Sequence, residues 1–223
     1  MNHCDFIFGD ARLTALPSGA LWWGAERLLC VSDLHLGKSA RQARSGGAVL
    51  PPYETTDTLS RLDRDLSLTA PETVVCLGDS FDHRDDASEI SEDVRLWLMR
   101  MQAGRRWIWI EGNHDAGGAA PGGSYRREHE TGPLVFRHIA QAGATAEVTG
   151  HYHPKAVLTG RGGRASRPCF LYDEARLILP AYGTYTGGLR WTDPALRGLL
   201  GPTARAILTG SRCLEVPAPA CTA

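Results

Sequence analysis

The stretch RWIWIEGNHD, residues 106–115, decides how the fold is read: the apolar run Trp107-Ile108-Trp109-Ile110 stops at Gly112 and is followed at once by Asn113, His114 and Asp115. A buried strand that ends in a tight polar turn delivers donor atoms to one point at the edge of a sheet. The signal gains force only if other strands of the same chain end in complementary groups, and they do.

Upstream, ALWW (20–23), the turn-like GAER (24–27) and LLCVS (28–32) predict a hairpin whose second arm is buried on both faces and ends at Asp33-Leu34-His35. TVVCL (73–77) predicts a further strand, ending at Gly78-Asp79-Ser80-Phe81-Asp82. Between them, residues 39–52 are rich in Arg, Gly, Ser and Pro and predict an exposed loop carrying Arg41 and Arg44. A helix follows from near Glu54, with Leu59, Leu62 and Leu66 on one face and Pro71 as its stop. After an acidic loop (82–92), the spacing of Val94, Trp97, Leu98 and Met101 predicts a second helix, closed by Gly104. Strand, helix, strand, helix, strand is the alternation of an α/β core, and it places three polar clusters on one sheet edge. The first 20 residues read as an edge strand and a loop.

Downstream the pattern changes. A Gly/Pro-rich loop (117–123) and a polar segment precede a strand at 134–138 that ends in His138, and Glu147-Val148-Thr149 leads into Gly150-His151-Tyr152-His153. Short apolar runs at 156–159, 169–173, 176–179, 204–208 and 212–216 predict a second, largely antiparallel sheet, with a hairpin turn at 160–163.

A chain of 223 residues suits one α/β domain spanning 1–223. The net charge of −1 announces no global field for nucleic acid, so any such contact must come from a local patch. Lys38 and Lys155 are the only lysines, and the arginines that replace them elsewhere suit forked phosphate contacts as well as they suit a compositional bias. The six cysteines contain no CxxC pair, and Cys30 and Cys76 sit inside apolar runs, the pattern of a reducing compartment. The start MNHCDFIFGD is not a secretion signal and no apolar run is long enough to span a bilayer, so a cytoplasmic protein without membrane contact is expected.

The polar strand ends supply Asp33, His35, Asp79, Asn113, His114, His138, His151 and His153. Carboxylate, amide and imidazole donors suit Mn, Zn, Fe or Ni, whereas a thiolate cluster is lacking. In Asp33-Leu34-His35 and His151-Tyr152-His153 the alternate residues would share a side if the backbone were extended. More donors are present than one tetrahedral ion needs, so two ions are expected. Outside this set, His3, His83 and His129 read as surface or structurally satisfied residues, and Trp22, Trp23, Trp97, Trp107 and Trp109 as core or strand-face residues.

The blocks DxH (Asp33, His35), GDxxD (Gly78 to Asp82), GNHD (Gly112 to Asp115), a lone His138 and GHxH (Gly150 to His153) resemble, in order, the signature of the calcineurin-like metallophosphoesterase superfamily. DLHLGK (33–38), GHYHP (150–154) and PAYGTYTGGL (180–189) are further similar to the bacterial DNA-ligase-associated metallophosphoesterases, which are described as DNA-repair endonucleases or phosphodiesterases. One departure is local: Asp82-His83 stands where that subgroup has His-Asp.

The resemblance implies a two-sheet αββα sandwich with the metal site at strand ends. It implies two divalent ions, Mn first and Zn, Fe or Ni as alternatives, with Asp33, His35 and His153 on one, Asn113, His138 and His151 on the other, and Asp79 between them. Water, not a side chain, would be the nucleophile. His114 would face substrate as the catalytic acid or phosphoryl contact, and Asp82 and Asp115 would support their neighbours. Lys38, Arg41 and Arg44 lie where they could meet phosphate. The implied substrate is a DNA or nucleotide phosphodiester, and the implied partners are a DNA ligase, helicase or exonuclease. The alternatives are a phosphomonoesterase or small-nucleotide phosphodiesterase, and a non-catalytic scaffold for protein partners.

Overall fold

The computed structural model describes residues 2–39, 51, 53–81, 90–113, 120–160 and 163–219. Two mixed sheets form its centre. The first has seven strands in sequence order: β1 (Cys4–Phe8), β2 (Ala11–Ala15), β3 (Leu21–Trp23), β4 (Leu28–Val31), β5 (Thr73–Leu77), β6 (Arg106–Ile110) and β7 (Ser124–Arg126). β1 to β4 form an antiparallel meander, and β4 to β7 run parallel. The crossovers contain α1 (Glu54–Thr69) and α2 (Glu92–Gln102).

The second sheet contains β8 (Glu128–Thr131), β9 (Leu134–Arg137), β10 (Glu147–Thr149), β12 (Gly163–Tyr172), β13 (Arg176–Ile178), β14 (Arg205–Leu208) and β15 (Leu214–Pro217). Their order is β15-β14-β12-β13-β10-β9-β8, and β11 (Lys155–Gly160) pairs with β12 off that path. It is largely antiparallel, as expected, but β10 pairs parallel with both β9 and β13. The reason is positional: β9 and β10 must both end at the same edge for His138 and His151 to meet.

The period-2 alternation of the strands builds the layers. Cys30, Val75, Leu77, Ile108 and Ile110 face Leu134, Phe136, Val148, Phe170 and Ile207 across the two sheets. Leu29, Val31, Val74, Cys76, Trp107 and Trp109 point the other way, onto Leu59, Leu62 and Leu66 of α1 and Leu98 and Met101 of α2. β4 is therefore buried on both faces, as its unbroken apolar run requires. On the far side of the second sheet, Leu171, Ile178, Ala206 and Leu208 are covered by Trp191 and Leu196, the latter from the single turn α3 (Pro194–Arg197). The αββα order holds, with a thin last layer.

Two segments read differently in three dimensions. The first 20 residues supply two strands instead of one: β1 and β2 close a hairpin through Gly9 and Asp10, whose φ values of 53° and 63° suit a two-residue turn. The polar segment before residue 134 contains β7 and β8, short edge strands whose mostly polar side chains give no apolar alternation to read.

The second sheet encloses a buried charge network. Arg176 donates from Nε to Glu147 Oε2 at 2.7 Å and from its two terminal nitrogens to the carbonyls of Leu199 and Gln141, each at 2.6 Å. Glu147 also accepts from the Gln141 backbone N–H at 2.9 Å, and Arg137 Nε lies 3.5 Å from it. Removing one partner leaves the other charge buried without compensation. Arg176→Met is expected to lower unfolding stability by about 3–5 kcal/mol, read from urea denaturation. A midpoint unchanged from wild type would show that the pair is dispensable.

Candidate metal centre

Every described donor predicted from sequence lies at one edge of the sandwich. Asp33 and His35 follow β4, Asp79 follows β5 and Asn113 follows β6, while His138 follows β9 and His151 and His153 follow β10. They fall into two groups, Asp33, His35 and His153 in one and Asp79, His138 and His151 in the other, and within each group one donor atom per residue lies within 4.8 Å of the rest. Asn113 joins the second group, its Oδ1 3.1 Å from His138 Nε2. The groups adjoin, since His138 Nδ1 is 3.9 Å from Asp33 Oδ1. His114, Asp82, Asp115, Arg41 and Arg44 lie outside the described residues. Lys38 is half-buried just past the first donor loop.

The extended geometry expected of 33–35 and 151–153 is not adopted. Asp33, His35, Asp79, His151 and His153 have φ of 52°, 45°, 44°, 69° and 46°, all in the left-handed region. An extended triplet would separate alternate residues by about 7 Å along the strand. Curling over the strand end instead sends His151 and His153 into different groups while drawing Asp33 and His35 into one.

Hydrogen bonds decide which atom of Asp33 and of His138 is left to face the centre. Asp33 Oδ2 accepts from the Ser32 hydroxyl and, at 3.0 Å, from the His151 backbone N–H. That leaves Oδ1, which lies 3.0 Å from His153 Nε2. His138 Nδ1–H donates to the Leu77 carbonyl at 2.8 Å, which sets the tautomer with a lone pair on Nε2 in the neutral ring. That lone pair meets Asn113 Oδ1 at 3.1 Å, His151 Nδ1 at 3.3 Å and Asp79 Oδ2 at 3.4 Å. Several lone pairs converging on one point require a positive charge at that point. The donor set fits a divalent cation in each group.

The electrostatics agree. Burial alone would raise the Asp33 carboxyl, but His153, His138 and Ser32 outweigh it and hold the group below the usual carboxylate range. Burial opposes charge on His138, yet Asp79 and Asp33 pull its pKa up to about 9. His151 is lowered by burial and by the neighbouring His138. The pocket thus draws in positive charge, for which a proton and a metal ion compete.

Several supporting groups had no signal in the sequence. Ser32 and the Leu77 carbonyl matter only because of what folds against them, whereas the loop after β13 falls in the PAYGTYTGGL block, whose contacts the sequence did not show. Tyr182 N–H donates to the Ser32 carbonyl at 2.7 Å and Gly183 N–H to the Asp33 carbonyl at 3.0 Å. A Cβ on Gly183 would lie 2.2 Å from the Leu34 oxygen, and one on Gly150 would lie 1.8 Å from Ser32 Oγ. His129, read as structural, contacts Thr131 Oγ1 at 3.0 Å, away from the centre.

Gly78 sits directly under His138, where an added Cβ would lie 2.4 Å from Nδ1, and its φ of +71° is unfavourable for any other residue. Gly78→Ala should weaken divalent-cation binding at least tenfold by displacing the ring, as removal of a ligand-orienting neighbour does. Isothermal titration calorimetry of the folded variant checks this, and wild-type affinity would show that the ring is positioned by other contacts.

Comparisons with known proteins place this geometry. Residues 26–178 match the family described as calcineurin-like phosphoesterase. The crystal structure of Pseudomonas putida nuclease MPE is similar at 31% identity and a TM-score of 0.75, over 96% of this chain and all of that one (100%). A conserved protein of Streptococcus pneumoniae, described as a predicted phosphoesterase, aligns over 85% of this chain and 96% of its own at 13% identity, but its TM-score of 0.33 is too low to bear on fold or function. No curated protein matches the chain. The family match covers more than half of the sequence, and the nuclease aligns over nearly all of it with the same two-sheet architecture: the chain belongs to the calcineurin-like phosphoesterases.

Proposed function

We propose that the protein is a dinuclear metal-dependent phosphodiester hydrolase that acts on DNA in repair. The observation that carries this is the pair of adjoining donor groups meeting at His138, with the hydrogen bonds to Asp33 and His138 arranged to leave one carboxylate oxygen and one ring nitrogen facing inward. The similarity to a nuclease along nearly the whole chain supports the polymeric substrate. So does the open setting, since Asn113 is exposed and His151 and His153 are only half-buried, where a small-nucleotide or monoester hydrolase would enclose its substrate. An intact donor set also speaks against a non-catalytic scaffold.

In this reading Asp33, His35 and His153 would hold one ion and Asn113, His138 and His151 the other, with Asp79 contributing to both. When bound, the ions supply charge neutralisation at the phosphoryl oxygens and a water acidic enough to ionise near neutral pH. The protein's part is to fix the donors and to hold a proton for the departing oxygen, a role we give to His114. Mn is the first metal to test, ahead of Zn, Fe and Ni; the oxygen and nitrogen donors accept all four, and the order rests on the resemblance. Donors from both sheets complete each group, which supports residues 1–223 as one catalytic unit. The free thiols of Cys4, Cys30, Cys76, Cys169 and Cys213 support a reducing, cytoplasmic setting, and among the described residues no helix is long and apolar enough to cross a membrane. Association with a DNA ligase, helicase or exonuclease rests on the subgroup resemblance.

Asp79→Asn should abolish Mn2+-dependent cleavage of both a chromogenic diester and an oligonucleotide while the circular dichroism spectrum stays native; undiminished turnover would place the activity elsewhere. His114→Ala should lower kcat about 10²- to 10⁴-fold at unchanged metal content. A lower metal content measured by elemental analysis would make His114 a ligand instead. Faster hydrolysis of monoesters than of diesters by wild type would favour the small-substrate reading.

A further inference from the structure

Beside the metal centre lies a cavity of about 680 Å³, walled by α1, the 180–186 loop, the start of β11 and the β2–β3 turn. Strand register places it on the same edge as the donors. Leu21 pairs with Cys30, so the β2–β3 turn sits beside the end of β4, and Leu171 pairs with Ile178, so Arg167 sits beyond the end of β13. Gly183 lines the cavity while its N–H holds the Asp33 carbonyl. The cavity and the centre therefore share a wall.

The lining carries Arg61, Arg64, Lys155 and Arg167 against the single acid Asp65. In a chain of net charge −1 this is a concentrated positive field. Arg61 is a wall residue, donating to the Tyr182 carbonyl at 2.7 Å and Thr184 Oγ1 at 3.1 Å. Lys155 donates to the Thr186 carbonyl at 3.1 Å, and Arg167 Nη1 reaches the Thr209 carbonyl at 3.4 Å. Arg64, Lys155 and Arg167 form no ion pair with any carboxylate among the described residues. Asp65 is engaged by the Tyr182 hydroxyl at 2.9 Å.

Tyr185 completes the picture. It lines the cavity with 41% of its surface exposed, on a backbone φ of 61° that is unfavourable for an aromatic residue. The flanking residues enforce that conformation: Thr184 is tied to Asp57 at 2.5 Å and to Thr58 at 3.0 Å, and the Thr186 carbonyl is held by Lys155. An exposed ring kept in strained backbone beside these cations is what a single nucleic-acid strand requires, a stacking face next to phosphate-binding groups.

We infer that this cavity is a second binding site, which takes a phosphate of single-stranded nucleic acid flanking the scissile bond on Arg64, Lys155 and Arg167 and stacks the adjacent base on Tyr185. The inference deepens the proposed hydrolase reading and rests on it for the position of the scissile bond.

The test is fluorescence anisotropy of a labelled oligothymidylate with the full chain in EDTA, where no cleavage occurs. The double variant Arg64→Ala/Arg167→Ala should bind about tenfold or more weakly at low salt, and the slope of log K against log salt should fall by about 0.7 for each phosphate no longer neutralised. Tyr185→Leu should weaken binding about tenfold, and Tyr185→Phe should restore it. Leu and Phe share the Cβ that the strained backbone must carry, so a purely structural role would affect both equally. Under Mn2+, the ratio of kcat/KM for the oligonucleotide to that for bis(p-nitrophenyl) phosphate should fall at least tenfold in the double variant and in Tyr185→Leu. Wild-type affinity in both, or equal weakening in the Leu and Phe variants, overturns the site. Failure of wild type to cleave the chromogenic diester while these binding differences persist would overturn the hydrolase reading and leave the site standing.

Discussion

Five donor residues in left-handed backbone are the constraint on which the rest of the structure depends. Asp33, His35, Asp79, His151 and His153 each hold a conformation that costs of order 1–3 kcal/mol and persists only where its surroundings over-determine it. The surroundings are visible. The parallel ladder of β4 and β5 continues past the strands, with His35 N–H donating to the Asp79 carbonyl at 2.9 Å and Leu36 N–H to the Ser80 carbonyl at 3.0 Å. Gly150 and Gly183 let the second sheet and its following loop press directly on the first donor turn. Strain and packing together put the lone pairs in place before any cation arrives, the arrangement expected of a preorganised electrostatic site.

The same contacts choose between atoms. A carboxylate has two oxygens and an imidazole two nitrogens, and a donor turn that left both available would bind loosely. Ser32 and the His151 N–H occupy one oxygen of Asp33, and the Leu77 carbonyl occupies one nitrogen of His138. Both supports come from backbone or from a small hydroxyl, groups with no chemistry of their own. Their contribution is orientation, which is the part of a metal site most sensitive to its second layer of neighbours.

The 180–186 loop links this centre to the rest of the rim. It bonds α1 through Tyr182 and Thr184, the first donor turn through Tyr182 and Gly183, and β11 through Thr186. A displacement of α1 would therefore be felt at Asp33. On the opposite flank, Asn113 and His138 line a second depression of about 550 Å³ with Arg127 and Arg137. The centre thus lies between two hollows along one edge.

Much of this was legible in the chain alone. The three apolar runs ending in Asp33, Asp79 and Asn113 predicted parallel strands with donors on one edge, because burial on both faces and the polar stop are local properties that tertiary contacts reinforce. Leu59, Leu62 and Leu66 announced α1 in the same way. Two polar edge strands, β7 and β8, and the turn at Gly9 and Asp10 were not legible, since an edge strand needs a neighbour more than an apolar pattern. What the sequence by itself determined was the kind of chemistry: the donor types, their order and their place at strand ends. Only the tertiary structure decided which atoms of Asp33 and His138 face inward, and that Arg61, Arg64, Lys155 and Arg167 line one cavity. Those outcomes depend on left-handed turns and on contacts between residues a hundred or more positions apart, for example His151 N–H to Asp33 across 118 positions, and no local pattern records them.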